Sequence, residues 1–598
     1  MKRTYFLIAV LAAATAAVLG LAWAADAPAD PFASFPTTSD GALSWPWERF
    51  AVYFDALDRE PLAKENVGAW LTKWTRLIDL LSECETRLQV ATSVNTADEA
   101  AEKQYNAYLE KIKTPAEQRH QNLRNKLLAS NLTPAGMELA IKKMRVTADI
   151  FRAANLPLQV DETKLVTEYD KICGAQTIVW DGTEQTLSKM NVVYAQTDRA
   201  RREKAWRLVS ERWLKDRAAI GALWSKMLPL RVRLAKNAGF GDYRSYRWKD
   251  LLRLDYTPAE VKAFHENIRR VVVPAAQRIY EKHRAQMKID KMRPWDIDVD
   301  PLGRPALKPF ANVDELIAKT QAIFNALNPQ LGKYFETMRR EKVLDLDNRK
   351  NKAPGGFQAS FDLRRQPFIF MNAVGVHDDV QTLVHESGHS FHYYESLHLP
   401  WAQQRYTPTE FDEAAAMSME LLAARFFDMP NGFYSKRDAA RARIGVLEQI
   451  IQFWPYMSVV DLFQHWVYEH PDEARDPQNC DRHWAALWDQ FMKGVDWSGF
   501  EDAKATGWHR KLHIHELPFY YIEYGIAELC AVQVYGRALK DPEQALTDYR
   551  RALALGGTVS LPELFTAAGV KFSLDEKTLQ EAVTLLEKTI ADLEKETG

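Results

Sequence analysis

The stretch VQTLVHESGHSFHYYESLHLP, residues 380–400, sets two histidines four apart with a glutamate directly after the first. Val380, Leu383, Val384, Phe391 and Tyr394 recur at helical spacing, and Asp378 or Asp379 just ahead can cap the helix they define. On that helix His385 and His389 stand one turn apart, about 5–6 Å at Cβ, so both imidazoles can reach a single zinc ion. Glu386 is rotated about 100° away from His385, which takes it off the metal and leaves it placed to act on a metal-activated water. With only 14 histidines in 598 residues, this pattern in an apolar helical setting rarely arises by chance.

A hydrolytic zinc needs a third protein ligand. The extended HExxHxxGxxH pattern and the inverted HxxEH order are both absent. His392 continues the same helix and cannot close a tetrahedron with the other two histidines, so it reads as a residue packed beside the site. A carboxylate from the next helix is the better solution. RYTPTEFDEAAAMSMELLAARFF (405–427) offers Glu410, Asp412, Glu413 and Glu420, with small Ala414, Ala415 and Ala416 to allow close helix approach. Spacing alone barely separates Glu413 from Glu410.

Outward from this helix the chain is helical in pattern, with Leu, Ala, Lys, Glu and Arg around apolar positions at three and four. Residues 287–311 carry Pro294, Pro301, Pro305 and Pro309 and predict a long irregular connection. KVLDLD (342–347), GGFQASFDL (355–363) and PFIFMN (367–372) predict a small antiparallel sheet just before the histidine helix. GGFQASF is a candidate edge for binding an extended peptide, with Gly356 and Ala359 as substrate-facing positions.

The first residues, MKRTYFLIAVLAAATAAVLGLAWAAD, combine Lys2 and Arg3, an apolar run and an Ala22-Trp23-Ala24 cleavage pattern. That composition predicts an export signal over 1–24 and a periplasmic or secreted mature chain free of the membrane; an uncleaved anchor is the alternative. Residues 25–46 read as a Pro- and Ser-rich linker, 47–160 as an N-terminal helical lobe and 161–598 as the catalytic region. Basic and acidic residues number 78 and 80, a balance that argues against nucleic acid as partner. Cys84, Cys173, Cys480 and Cys530 are too scattered for a cysteine-zinc site or a disulfide framework.

GGFQASFDLRRQPFIFMNAVGVHDDVQTLVHESGHSFH followed by EFDEAAAMSMELL resembles the M3 metallopeptidases, the thimet oligopeptidase and oligoendopeptidase F group, and the second branch more closely. The resemblance extends through WHRKLHIHELPFYYIEYGIAELCAVQVYGRAL (508–539). It implies Glu413 as third zinc ligand and Glu420 as the acid behind the ligands. It further implies His513 and Tyr524 as donors to the developing oxyanion, with Tyr521 against the substrate. One helical turn would move the oxyanion role among Tyr520, Tyr521 and Tyr524.

The expected molecule is a mostly α-helical, two-lobed enzyme, monomeric or weakly oligomeric, with one zinc and a deep channel. It would cleave oligopeptides internally. A peptidyl-dipeptidase of the same fold and a non-catalytic, metal-containing peptide binder are the alternatives.

Overall fold

The computed structural model describes residues 30–430 and 432–597, so the export-signal reading of residues 1–24 lies outside the described residues. Of the described residues 70% are helical, as the apolar periodicity predicts. In the N-terminal lobe, α1 (Trp47–Arg59) and α2 (Val67–Val94) bury Phe50, Phe54, Trp70 and Leu77 completely. Residues 31–46, expected as a linker, are instead part of this lobe. Phe32, Phe35 and Ala42 are buried in its core, and Phe35 stands edge-on to Tyr53 at 4.9 Å. Aromatic side chains among the prolines and serines hold this segment down.

The boundary expected at residue 160 also moves. It falls inside α3 (Leu156–Gly174), which gives Leu158 to the larger core and Val160 to the N-terminal one. A hairpin follows, β1 (Thr177–Trp180) and β2 (Thr183–Thr186), which helical periodicity did not predict. Its signal is Asp181-Gly182, both at positive φ (48° and 81°), as a two-residue hairpin turn requires.

Three long helices form the far side of the molecule: α4 (Pro258–Met287), α7 (Lys436–Glu469) and α10 (Glu576–Thr597), all mutually packed. Thr257 opens α4 with a capping box: its hydroxyl accepts from Glu260 N and the Glu260 carboxylate accepts from Thr257 N. The sheet comprises β3 (Leu344–Asp347), β4 (Phe357–Phe361) and β5 (Gln366–Ala373) in the order β3-β5-β4. It is mixed rather than antiparallel, since β3 runs parallel to β5 and only β4 runs antiparallel. Hydrophobic alternation places strands on a sheet face but carries no information on their direction.

Beside this sheet lies α5 (His377–Ser396), and α6 (Thr409–Ala423) packs between α5 and α9 (Tyr521–Ala538). The short helix α8 (Leu512–Glu516) precedes α9. A cavity of about 1210 Å³ separates the N-terminal lobe from these elements, lined by α2, α3, β4, α5, α6 and the segment around α8. No helix among the described residues is long and apolar enough to cross a membrane. All four cysteines are free thiols.

Candidate metal centre

The helix α5 begins before both capping candidates, with Val376 at the N-cap position, and Asp379 acts from within its first turn. Its Oδ2 accepts from the backbone N–H groups of Val374, Gly375 and Val376 at 2.9, 2.6 and 2.9 Å, fixing the turn from β5 into the helix. Two turns on, the His385 and His389 rings lie 4.9 Å apart at 82°. Glu413 of α6 meets them: its Oε2 is 3.3 Å from His385 Nε2 and 3.6 Å from His389 Nε2.

The approach of α6 depends on two small surfaces. A Cβ on Gly388 would stand 2.6 Å from Ala416 Cα and 3.1 Å from Ala415 O, both backbone atoms that a side chain cannot displace. Gly388 inside the histidine motif therefore faces the alanine run on α6, and the two backbones close to the distance that presents Glu413.

These residues fit a zinc ion. Ligands at about 2.0–2.2 Å from a tetrahedral metal stand about 3.3–3.6 Å from one another, which matches the two separations to Glu413. Glu413 Oε2 is buried with no hydrogen-bond partner, and the other oxygen, Oε1, accepts from the Tyr520 hydroxyl. Despite burial, His389 and His385 hold the Glu413 carboxyl well below the carboxylate range. Behind the ligands, Glu420 Oε1 meets His385 Nδ1 at 2.7 Å while Oε2 accepts from Gln381 Nε2 at 3.0 Å. This contact turns His385 Nε2 toward the metal position, as metal-binding histidines require.

Glu386 faces the same cavity and is buried, with Oε2 free of hydrogen bonds. Burial pushes its carboxyl upward, opposed by the charges of His385 and His389. From the other wall, His513 on α8 places Nε2 3.1 Å from Tyr524 Oη on α9. Burial, with Lys511 adding, pushes His513 far down, so the ring is neutral. In the Nε2–H tautomer it donates to Tyr524 Oη and leaves that hydroxyl's own hydrogen free to face the cavity.

Three expectations are corrected. Tyr521 does not line the cavity: it is buried against Phe453 and Tyr456, and its hydroxyl accepts from Lys511 Nζ at 3.0 Å. Tyr520, read from sequence as a neighbour in the tyrosine run, is the residue that reaches the centre, through Glu413. The reason is helical register: Tyr520 already has helical backbone angles (φ -66°, ψ -34°) and stands four residues before Tyr524, so these two share a face and Tyr521 is turned about 100° away. Ala359 packs against the core, while Gln358 and Ser360 on either side line the cavity, as strand alternation dictates. Gly356 does line it. His392 pairs with Asp412 at 2.9 Å and stays off the metal cluster.

A second cluster, His265, Asp461 and His465, brings three potential ligands together between α4 and α7. His265 hydrogen-bonds Ser458 at 3.0 Å and Asp461 at 2.7 Å, and His465 Nδ1 meets Arg244 at 3.3 Å, while His465 Nε2 stands 3.2 Å from Asp461 Oδ2 without forming a hydrogen bond. We read it as a polar strut between two helices.

Two histidines and a carboxylate that could hold a metal ion, a second carboxylate beside them and a hydroxyl–imidazole pair opposite thus share one cavity. The chain matches peptidase family M3 over residues 192–584 and belongs to that family. It is 25% identical over 361 residues to an oligoendopeptidase F homolog of Mycoplasma pneumoniae (strain ATCC 29342 / M129 / Subtype 1), a match spanning 57% of this chain and 56% of that protein's length. Its fold is that of PZ peptidase A with an inhibitor (TM-score 0.86, 24% identity, 91% of this chain and 97% of the other). Oligoendopeptidase F from Enterococcus faecium shares it more distantly (TM-score 0.58, 13% identity, 93% and 99%). Within the family the chain lies nearer oligoendopeptidase F.

Proposed function

We propose that this chain is a zinc-dependent endopeptidase that hydrolyses bonds within short oligopeptides. The observation that carries the reading is the meeting of His385, His389 and Glu413 around one point, with Glu386 free beside it. Zinc held there would supply Lewis acidity and lower the pKa of water toward neutrality. The Glu386 carboxylate takes the proton from the attacking water and delivers it to the leaving amine nitrogen. Tyr524 Oη–H, oriented by His513, donates to the carbonyl oxygen as it gains negative charge. Tyr520 holds Glu413 Oε1, leaving Oε2 as the ligand oxygen.

β4 ends the sheet, so one row of its main-chain groups is unused by β5 and can pair with an extended peptide. Main-chain pairing tolerates varied side chains, and a centre set within the cavity between the lobes favours short chains over folded ones. The reading is tested by metal analysis with a peptide digest. One zinc per chain is expected, with cleavage lost on chelation and restored by zinc; undiminished cleavage by metal-free protein would reject it.

We also propose that the chain is exported, on the strength of the basic, apolar and Ala-x-Ala sequence of residues 1–24. A mature N-terminus near residue 25 outside the cytoplasm is expected; an intact N-terminus in the cytoplasm would oppose it.

A further inference from the structure

The cavity wall beyond the metal centre carries an excess negative charge. β4 begins beside the histidine helix, where a Cβ on Gly356 would meet Thr382 Cγ2 at 2.9 Å. The strand then runs along α5, and Asp362, just past its end, stands by the Tyr393 hydroxyl. Gln358, Ser360 and Asp362 alternate onto the cavity. Across from them α2 contributes Asp79, and Ser82 Oγ donates to Asp362 Oδ2 at 2.7 Å.

Asp79 takes the direct ion pair here, with Arg405 Nη2 donating to its Oδ1 at 2.6 Å and the Arg365 charge acting on it from farther off. The Arg405 side chain is only 10% exposed, and its Nε is buried without a partner, as is Tyr393 Oη. Burial pushes the Asp79 carboxyl up to about 6, with Arg405 opposing and the charge of Asp362 adding. Several other acids on the cavity wall have a cation beside them, Glu85 with Lys113 at 2.5 Å, Glu162 with Arg231 at 2.6 Å and Asp250 with Arg247, while Asp412 meets the His392 ring at 2.9 Å. Asp362, like Glu117 and Glu516 elsewhere on the wall, has no ion pair of its own, and of these three it is the one that follows the strand leading from the histidine helix.

We propose that Asp362, with Asp79 and the Tyr393 hydroxyl around it, forms a subsite for a lysine or arginine side chain of the substrate. This rests on the peptidase reading above. Tyr393 follows Glu386 by seven residues on α5. At 1.5 Å per residue that is about 10 Å along the helix, or about three residues of an extended peptide at 3.3 Å each. The cation therefore belongs about three positions from the bond to be cleaved.

The test reads binding without turnover. The Glu386→Gln variant, loaded with zinc, is titrated with end-blocked peptides carrying lysine, norleucine or glutamate at successive positions. At one position lysine is expected to bind about tenfold tighter than norleucine, the scale of one charge-assisted hydrogen bond. Adding Asp362→Asn should bring that ratio toward one, and Asp362→Lys should make glutamate the favoured residue. Equal binding of lysine and norleucine peptides at every position overturns the subsite, as does a lysine preference that survives Asp362→Asn. Wild-type cleavage of the norleucine peptide tests hydrolysis separately: a lysine preference with no cleavage would reject the peptidase reading and keep the subsite.

Discussion

At the scale of single residues, the two oxygens of Glu413 have different duties. Oε2 faces the histidines and Oε1 is held by the Tyr520 hydroxyl. Tyr520→Phe removes that hold, so zinc affinity should fall about 10- to 100-fold, as it does when a partner of a ligand is lost. Tyr524→Phe should leave zinc content intact and lower kcat about 100- to 1000-fold with little change in KM, the pattern of a donor used only in the transition state. Equal effects of the two substitutions on metal content would contradict this division. His385, Glu386 and His389 were legible in sequence because their geometry is local to one helix. Glu413 needed the resemblance, since spacing could not separate it from Glu410, which turns instead to Tyr256. Tyr520 and Tyr524 stand four apart in helical register, so periodicity could have paired them; the resemblance instead set Tyr521 beside Tyr524.

At the scale of elements, the centre is a product of how closely α5 and α6 pack. Gly388→Ala places a methyl 2.6 Å from Ala416 Cα, a backbone contact that can be relieved only by moving the helices apart. The expected result is a loss of about 1–3 kcal/mol in stability with weakened zinc binding, measured by chemical unfolding and metal analysis. The sheet beneath α5 is pinned by Lys352, whose Nζ donates to the carbonyl oxygens of Asp347 at 3.0 Å and Met371, and lies 4.2 Å over the Phe370 ring. Burial lowers this ammonium to about 8 from 10.5, against the pull of Asp345. Between those values the unfolded chain keeps the proton and the folded chain sheds it, so this group makes stability rise with pH from about 8 to 10.5. Lys352→Met should flatten that rise; unfolding curves of both proteins at pH 7.5, 9 and 10.5, as about one-unit steps across the window, decide it. The sheet's existence was readable from alternating residues, but its parallel pair was not, because direction depends on the long connection between strands.

At the scale of the molecule, the lobes close on the cavity through specific links. Glu83, fully buried on α2, accepts from Ser39 at 2.7 Å and from the backbone of Arg364 at 2.8 Å, just beyond β4. Residues 31–46 could not be recognised from composition as part of this lobe, because Phe32 and Phe35 gain their meaning only against Tyr53. A centre set within a cavity of about 1210 Å³ between the lobes predicts that short unstructured peptides are cleaved while a folded protein carrying the same sequence in a surface loop is not. Cleavage of both at similar rates would argue for an open site. The central claim, that His385, His389 and Glu413 hold the metal while Glu386 moves the proton, meets its most direct test in the Glu386→Gln variant. Assayed side by side for zinc and for peptide cleavage, it should hold one zinc per chain and lose about 100- to 10,000-fold in kcat. Wild-type cleavage by that variant, or loss of its zinc, would contradict the account.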